Sequence, residues 1–358
     1  MTDEERLHVT AKDIMTRTER YLIILMLMLE GSTHVAGQTE RFVTLSNVKA
    51  RPLAMGGAFT SVVDDMAAIN YNPAAYELYK RNKTGRLSVF LNPVSPVVGA
   101  IESDKLFSGS NPPGEDLLLG LSLILKSVSL SFNSLELGVL LGEQGLDVPS
   151  SHRNEEVFSA SGYRQNHTHT LVGRVKLAEQ VSIGASANVF YGSRADASDE
   201  RDRGFGISYG ILLKPEKGLN IGVSLINLPD TLKHYRVPLE RIVDESVNVG
   251  ISYRLANSTL SVDVRNLGEE QEENLVREFH LGFEQVLLSH FAIRAGWFKK
   301  KNGDHVYSWG VGIFDGNPLW GHERAFNHEN FFLNYAFVYE RSPIEDTRWH
   351  FLSFYLRL

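Results

Sequence analysis

The 358-residue chain contains no cysteine. That absence excludes disulfides, thiolate nucleophiles, lipid attachment at a mature N-terminal Cys, and Cys-based zinc or iron–sulfur sites. Proline is scarce, with 12 residues beside 30 Gly, 13 Tyr and 19 Phe, a balance that suits many short strands. Long apolar runs are also missing. The longest, Tyr21 to Leu29, is about half the roughly 20 residues an α-helix needs to cross a bilayer, and Glu30 ends it, so no transmembrane helix is expected. Basic residues are in the minority, 36 Lys+Arg against 43 Asp+Glu for a formal charge of -7, which argues against nucleic acid as a partner. With 43% hydrophobic side chains the chain is not a disordered one.

The N-terminus reads as an export signal. Tyr21 to Leu29 forms a compact apolar stretch behind Arg17 and Arg20, and Val35-Ala36-Gly37 offers the small residues a signal peptidase reads. Residues 1–37 are therefore expected to be a signal peptide, with the mature chain starting at Gln38. Met15 makes a better start than Met1, because Asp3, Glu4, Glu5 and Asp13 load the first residues with the wrong charge.

Most of the remaining information lies in alternation. Val181, Ile183, Ala185, Ala187, Val189 and Tyr191 are apolar, while Ser182, Gly184, Ser186 and Asn188 between them are small or polar. That is period two, hence a strand. The pattern recurs to the end of the chain, closing with Leu352, Phe354, Leu356 and Leu358, which are expected to face lipid and to act as a membrane-insertion signal. Many runs are about nine to eleven residues, matched to a tilted crossing of the hydrocarbon layer. Short connections such as Ala256-Asn257-Ser258 alternate with long charged ones such as 228–244. Eleven strands are read from His169 to Leu358, and three more upstream at Arg86 to Asn92, Leu117 to Leu125 and Val128 to Leu141, the last with a bulge near Ser134. The expectation is an all-β protein, a transmembrane antiparallel β-barrel of about 14 strands occupying 85–358. Asp263, Arg265, Arg254, Glu284 and Arg294 fall on polar strand faces and are expected to pair inside the lumen.

Residues 38–84 have a different character. Within them, Gly56-Gly57 permits positive φ and close backbone approach, Asp64 or Asp65 can cap a short helix begun by Met66-Ala67-Ala68, and Asn72-Pro73 stops it. Met55-Gly56-Gly57-Ala58, then Asp64-Asp65, then Asn72-Pro73-Ala74 resembles the N-terminal signature of the FadL-like outer-membrane barrels, including the PorV/PorQ group. The resemblance covers about 28 residues. It implies an N-terminal luminal hatch carrying Met55, Gly56, Gly57, Asp64, Asp65, Asn72 and Pro73, inside a fourteen-stranded barrel of the bacterial cell outer membrane, reached through the periplasm. Ala75 stands where the family commonly has glycine, so a positive φ there would strain it.

Catalytic signals are weak, and no enzyme, cofactor or metal is expected. His322, Glu323 and His328 lack the spacing that places two His on one helical face, and His167 with His169 has no third ligand at a telling distance. Two functions follow from the resemblance. One is porin-like transport, the passage of hydrophobic or lipid-like small molecules. The other is a PorV/PorQ-type role in type IX secretion, docking cargo or sorting proteins. Outer-membrane lipid, a hydrophobic small-molecule ligand, secretion-system proteins and, during insertion, the barrel-assembly machinery are the partners implied.

Overall fold

The computed structural model describes residues 38–43, 46–78, 86–101, 103–107, 113–144, 163–164, 167–193, 201–227, 246–267, 277–287, 291–299, 305–313, 331–341 and 346–358. Residues 1–37, expected to be a signal peptide, and His322, Glu323 and His328 lie outside them. Among the described residues, fifteen strands form one sheet. β1 is Gln38–Val43, followed by β2 (Arg86–Leu91), β3 (Leu125–Phe132) and β4 (Leu135–Gln144). Next come β5 (His167–Ala178), β6 (Val181–Ser193), β7 (Arg201–Glu216) and β8 (Leu219–Asn227). The remainder are β9 (Ser246–Leu255), β10 (Ser258–Leu267), β11 (Glu278–Leu287), β12 (Phe291–Lys299), β13 (His305–Ile313), β14 (Phe331–Arg341) and β15 (Asp346–Arg357). From β2 to β15 every strand is antiparallel to the next, and β15 pairs back onto β2, so fourteen strands close a barrel.

The wall is built inside out relative to a water-soluble sandwich. On β6, Ile183 is 41% exposed on the outer face while Ser182 and Ser186 are buried. The same holds for Leu171 on β5, Phe205 and Ile211 on β7 and Ile251 on β9, all exposed, against buried Arg174, Ser208 and Ser252. Apolar side chains on the outside of a closed barrel are stable where hydrocarbon replaces water, the arrangement of a membrane-spanning barrel. Two-residue turns, Asn133–Ser134, Glu179–Gln180, Lys217–Gly218 and Ala256–Asn257, sit at the end of the barrel where the chain terminates. Asn133, Gly218 and Ala256 have positive φ, as tight hairpins require.

The fourteen strands include the eleven expected from β5 onward, but two upstream readings change. Leu117 to Leu125 is not a strand: Pro113–Ile124 is a helix. Its leucines alternate around Gly120 and Ser122, yet they also recur at helical spacing, and Leu favours helix where β-branched residues are absent. Glu115 and Asp116 occupy its first turn, where the helix dipole stabilises negative charge. Val128 to Leu141 is not one bulged strand but the hairpin β3–β4. The apolar register changes phase at Phe132–Leu135 because the chain reverses there.

The largest buried cluster lies inside the barrel. Ser46 to Leu78 supplies Met55, Phe59, Val62, Met66, Tyr71 and Tyr76 to it, while the wall adds Leu140, Val172 and Leu212. This hatch contains helix α1 (Ala50–Ala54) and two 3₁₀ turns, Ala67–Asn70 and Pro73–Ala75. Three further helices, α2 (Ser95–Ile101), α3 (Ser103–Leu106) and α4 (Pro113–Ile124), join β2 to β3.

Candidate functional site: the hatch seat and the wall seam

A hatch fills a barrel only if its backbone comes close to the wall, and the wall provides for that with glycine. Gly184, Gly210, Gly222, Gly250, Gly282, Gly296 and Gly310 all occupy inward positions on β6 to β9 and β11 to β13. A Cβ on Gly296 would lie 1.9 Å from the Gly56 nitrogen, one on Gly184 2.4 Å from the Pro73 carbonyl carbon, and one on Gly222 2.2 Å from the Thr60 oxygen. Real Cβ atoms never approach so closely, so these positions form the seat of the hatch. Gly56 (φ +61°) and Gly57 (φ +70°) complete the fit from the other side by turning the chain; at Gly56 the backbone of Trp297 and Leu281 leaves no room for a side chain, and at Gly57 a Cβ would stand 3.3 Å from Arg265 and His280.

On β10 the belt of glycines is replaced by Asp263. Its Oδ2 accepts from the Phe59 and Thr60 nitrogens, both at 2.8 Å. The Gly56 nitrogen donates to Ser308 Oγ at 3.0 Å, and His280 Nδ1 donates to the Gly56 carbonyl at 2.6 Å. Arg265 donates to the Gly57 carbonyl, and Arg174 Nε to that of Ala74 at 3.0 Å. Buried backbone groups at a turn need such partners, because leaving one unmade costs about 1–3 kcal/mol.

Each of the sequence-identified hatch residues has a place here. Asp64 Oδ1 caps Met66 and Ala67 at 2.8 and 2.6 Å, while its Oδ2 pairs with Arg51 at 2.5 Å. Arg51 also holds Glu284 of the wall through Nη2 at 2.7 Å and Nε at 2.9 Å, and Glu284 takes Arg294 Nε at 2.6 Å. Burial opposes the charge on Arg51, yet Glu284 and Asp64 together raise its affinity for the proton above normal. Asp65 pairs with Arg357, next to the last residue of the chain, at 3.1 Å. Asn72 caps the second 3₁₀ turn by accepting from Ala74, and its Nδ2 donates to Thr60 and Ile211 carbonyls. Pro73 lies over Gly184, and Met55 over Gly282. Ala75 has no positive φ, so its departure from glycine causes no strain. Of the five charged strand residues, Asp263, Arg265, Glu284 and Arg294 face the lumen, where Glu284 pairs with Arg294; Arg254 is exposed at the end of β9.

At the hatch's C-terminal end, Glu77 meets Arg174 at 3.0 Å and Lys214 at 2.7 Å. Burial pushes this carboxyl up, but the two cations outweigh it and hold its pKa below the usual carboxylate range.

The second feature is a seam in the wall that no sequence pattern announced. β2 ends at Leu91 and β3 begins at Leu125, so neither continues to the end where Asp346 starts β15. β2 pairs with β15 in register at Leu91–Leu356 and Phe90–Arg357, and Val89 exchanges backbone bonds with Leu358 just beyond. The rest of that edge is taken by β1, which runs parallel to Asp346–Phe351. Ser46 then accepts from the Gln144 nitrogen at 2.8 Å, and Asn47 accepts from Ser353, so the N-terminal segment bridges β15 to β4 where β2 and β3 are missing. Both neighbours bulge at this point. Gly142 (φ +54°) interrupts β4, and the β2–β3 register shifts beside Lys126. Lys126, fully buried, donates to Ser46 Oγ at 2.8 Å and the Gly142 carbonyl at 3.0 Å, and pairs with Glu143 at 2.8 Å. Glu143 in turn accepts from Val48, and Tyr163 bonds Ser122 of α4 at 2.6 Å. One backbone bond and a set of side-chain contacts therefore hold the wall here in place of a continuous ladder.

His167 and His169 lie on the outer face of β5, and no group of three metal-ligating side chains is present among the described residues. Leu352, Phe354, Leu356 and Leu358 lie on the outer face of β15, alternating with buried Phe351, Ser353, Tyr355 and Arg357.

No protein-family model and no curated protein matches the sequence. Solved structures similar to it include the FadL-family toluene transporter TbuX of Ralstonia pickettii, 13% identical over 87% of this chain and 96% of that one, with a TM-score of 0.43. The KdgM porin is 9% identical over 54% of this chain and 90% of its own, at a TM-score of 0.30. OpdQ of Pseudomonas aeruginosa is 8% identical over 65% and 70%, at 0.35. The chain is similar to transporters and porins, at identities that carry no activity across.

Proposed function

We propose that the protein is a bacterial outer-membrane barrel that admits hydrophobic or lipid-like small molecules. The seam carries this reading. A solute crossing the lumen must displace the hatch with its full set of seat contacts, whereas one passing through the wall beside β4 parts a single backbone bond, Gln144 to Ser46, and side-chain contacts, since the ladder is already interrupted at Gly142 and Lys126. Apolar side chains flank the seam, where Leu106, Leu119 and Leu123 cluster with Tyr163. A polar solute gains nothing from such a route, while an apolar one passes from seam to hydrocarbon without meeting water. The TbuX likeness agrees in kind and adds no weight. A docking role in type IX secretion would rest on the long external connections, most of which lie outside the described residues, and nothing in the fold singles out the PorV/PorQ group.

The test is uptake by cells producing the protein, using a labelled alkylbenzene, a long-chain fatty acid and a sugar. Apolar uptake is expected to exceed the vector control while sugar uptake does not. Because the chain lacks cysteine, Asn47→Cys and Gln144→Cys can be bridged by a short bifunctional thiol reagent, which should abolish apolar uptake until the bridge is cleaved. Apolar uptake at control level, or uptake indifferent to the bridge, would refute the reading.

A further inference from the structure

The outer face of the barrel is largely apolar, and one cluster of polar side chains on it is covered. At the end of β5 to β7 away from the chain terminus, His167, His169, Tyr191 and Arg203 occupy outward positions, in the same alternation as exposed Leu171, Ile183 and Phe205. Two imidazoles and a guanidinium in contact with hydrocarbon would cost several kcal/mol each, by order of magnitude. The imidazoles are not left there, and the guanidinium is paired. His167 and His169 are buried, at 3% and 8% exposure, because Tyr163 stacks on His167, whose other neighbour is the Tyr191 ring at 4.7 Å. Ser122 of α4 holds Tyr163, Glu115 of α4 pairs with Arg203, and Arg203 also lies over the Tyr191 ring. Helix α4 therefore lies on the outside of the barrel, its inner face fastened to the polar patch.

Its other face is apolar. Leu117, Leu121 and Ile124, spaced to share one side of the helix, are 75%, 46% and 51% exposed, while Leu119, Ser122 and Leu123 face inward. Beside it, α2 exposes Val97 and Ile101, one turn apart, with Gly99 turned toward Leu123 and Leu106. We infer that α2 and α4 are embedded in the membrane, replacing a polar patch of the barrel wall with an apolar surface continuous with the lipid-facing strands. The occupant of that surface is hydrocarbon at the boundary of the leaflet into which the β2–β3 connection projects. The argument rests on continuity. The helices cover this polar cluster and present apolar side chains beside the exposed Leu171, Ile183 and Phe205, and a connection surrounded by water would gain nothing from exposing five large apolar residues.

Nitroxide labelling of the full chain in phospholipid vesicles tests this, since every introduced cysteine is unique. Labels at Leu117→Cys and Ile101→Cys are compared with one at Ile211→Cys on the strand wall and one at Glu179→Cys in a turn. The expected result is a ratio of oxygen to nickel-chelate collision rates at Leu117 and Ile101 that matches Ile211 and stands severalfold above Glu179. A ratio equal to that at Glu179 would overturn the proposal by placing the helices in water. Low collision with both reagents, or dipolar broadening that dilution with unlabelled protein removes, would overturn it by showing that protein, such as a second copy of the chain, covers the face.

Discussion

Gly296→Ala adds one methyl group to the barrel and isolates the fit between wall and hatch. Gly296 has no positive φ, so alanine is compatible with its strand backbone, and the β11–β12 and β12–β13 ladders need not change. The new Cβ would stand 1.9 Å from the Gly56 nitrogen, 2.3 Å from the Met55 carbonyl carbon and 2.5 Å from the Gly56 Cα. All three are backbone atoms, so no rotamer change relieves the contact. Restoring an ordinary separation of 3.4 Å requires a shift of 3.4 − 1.9 = 1.5 Å. Such a shift breaks the Gly56–Ser308 bond at 3.0 Å and the His280–Gly56 bond at 2.6 Å. With about 1–3 kcal/mol for each buried group left unpaired, hatch seating weakens by roughly 2–6 kcal/mol. The barrel should still fold and show heat-modifiable migration, but the hatch should become cleavable by protease and single-channel recordings should show a conductance absent from the wild type. Gly173→Ala is the control, since its Cβ meets only Leu137 Cδ2 at 3.5 Å. If Gly296→Ala matches Gly173→Ala in both assays, the hatch does not seat against the glycine belt and the reasoning fails.

Replacing outward Phe354 by Arg should cost roughly 2–4 kcal/mol if the residue sits near mid-bilayer, seen as weakened heat-modifiable migration. Arg51→Ala removes the bridge between Asp64 and Glu284; discounted for the partial exposure of Arg51, it should loosen the hatch by about 1–3 kcal/mol, and Arg51→Lys should not restore protease resistance because an ammonium cannot reproduce the forked contact. The depressed Glu77 contributes stability that is present above its unfolded pKa and lost as pH falls through the lower folded value, so conductance should rise as pH falls below the ordinary glutamate range and that acid step should be missing in Glu77→Gln. N-terminal sequencing of membrane-extracted protein should read from Gln38, and expression from Met15 should reach the membrane as well as the full reading frame.

The strands from β5 onward were legible because side-chain direction in a strand is a local property. Ser182, Ile183, Gly184 and Ala185 must point to alternate sides whatever lies around them, and run length then distinguishes a membrane crossing from a soluble strand. Gly56-Gly57, the Asp64 cap and Asn72-Pro73 were legible for the same reason, each being an instruction to the backbone within three residues. Where local physics permits two answers, sequence did not choose. The leucines of 117–124 satisfy both periods, and the outcome turned on a patch on β5 to β7, since the helix covers His167 and sets Glu115 against Arg203 where a strand could not. The partners of Asp65, Gly296 and Lys126 carried no local signal at all. Arg51 meets Glu284 across 233 positions and Gly56 meets Ser308 across 252. Such pairs depend on which strands the closed barrel sets opposite the hatch, and the seam depends on where β2 and β3 stop short of it. Sequence periodicity determined the facing of each strand, and only closure of the sheet determined what each face meets.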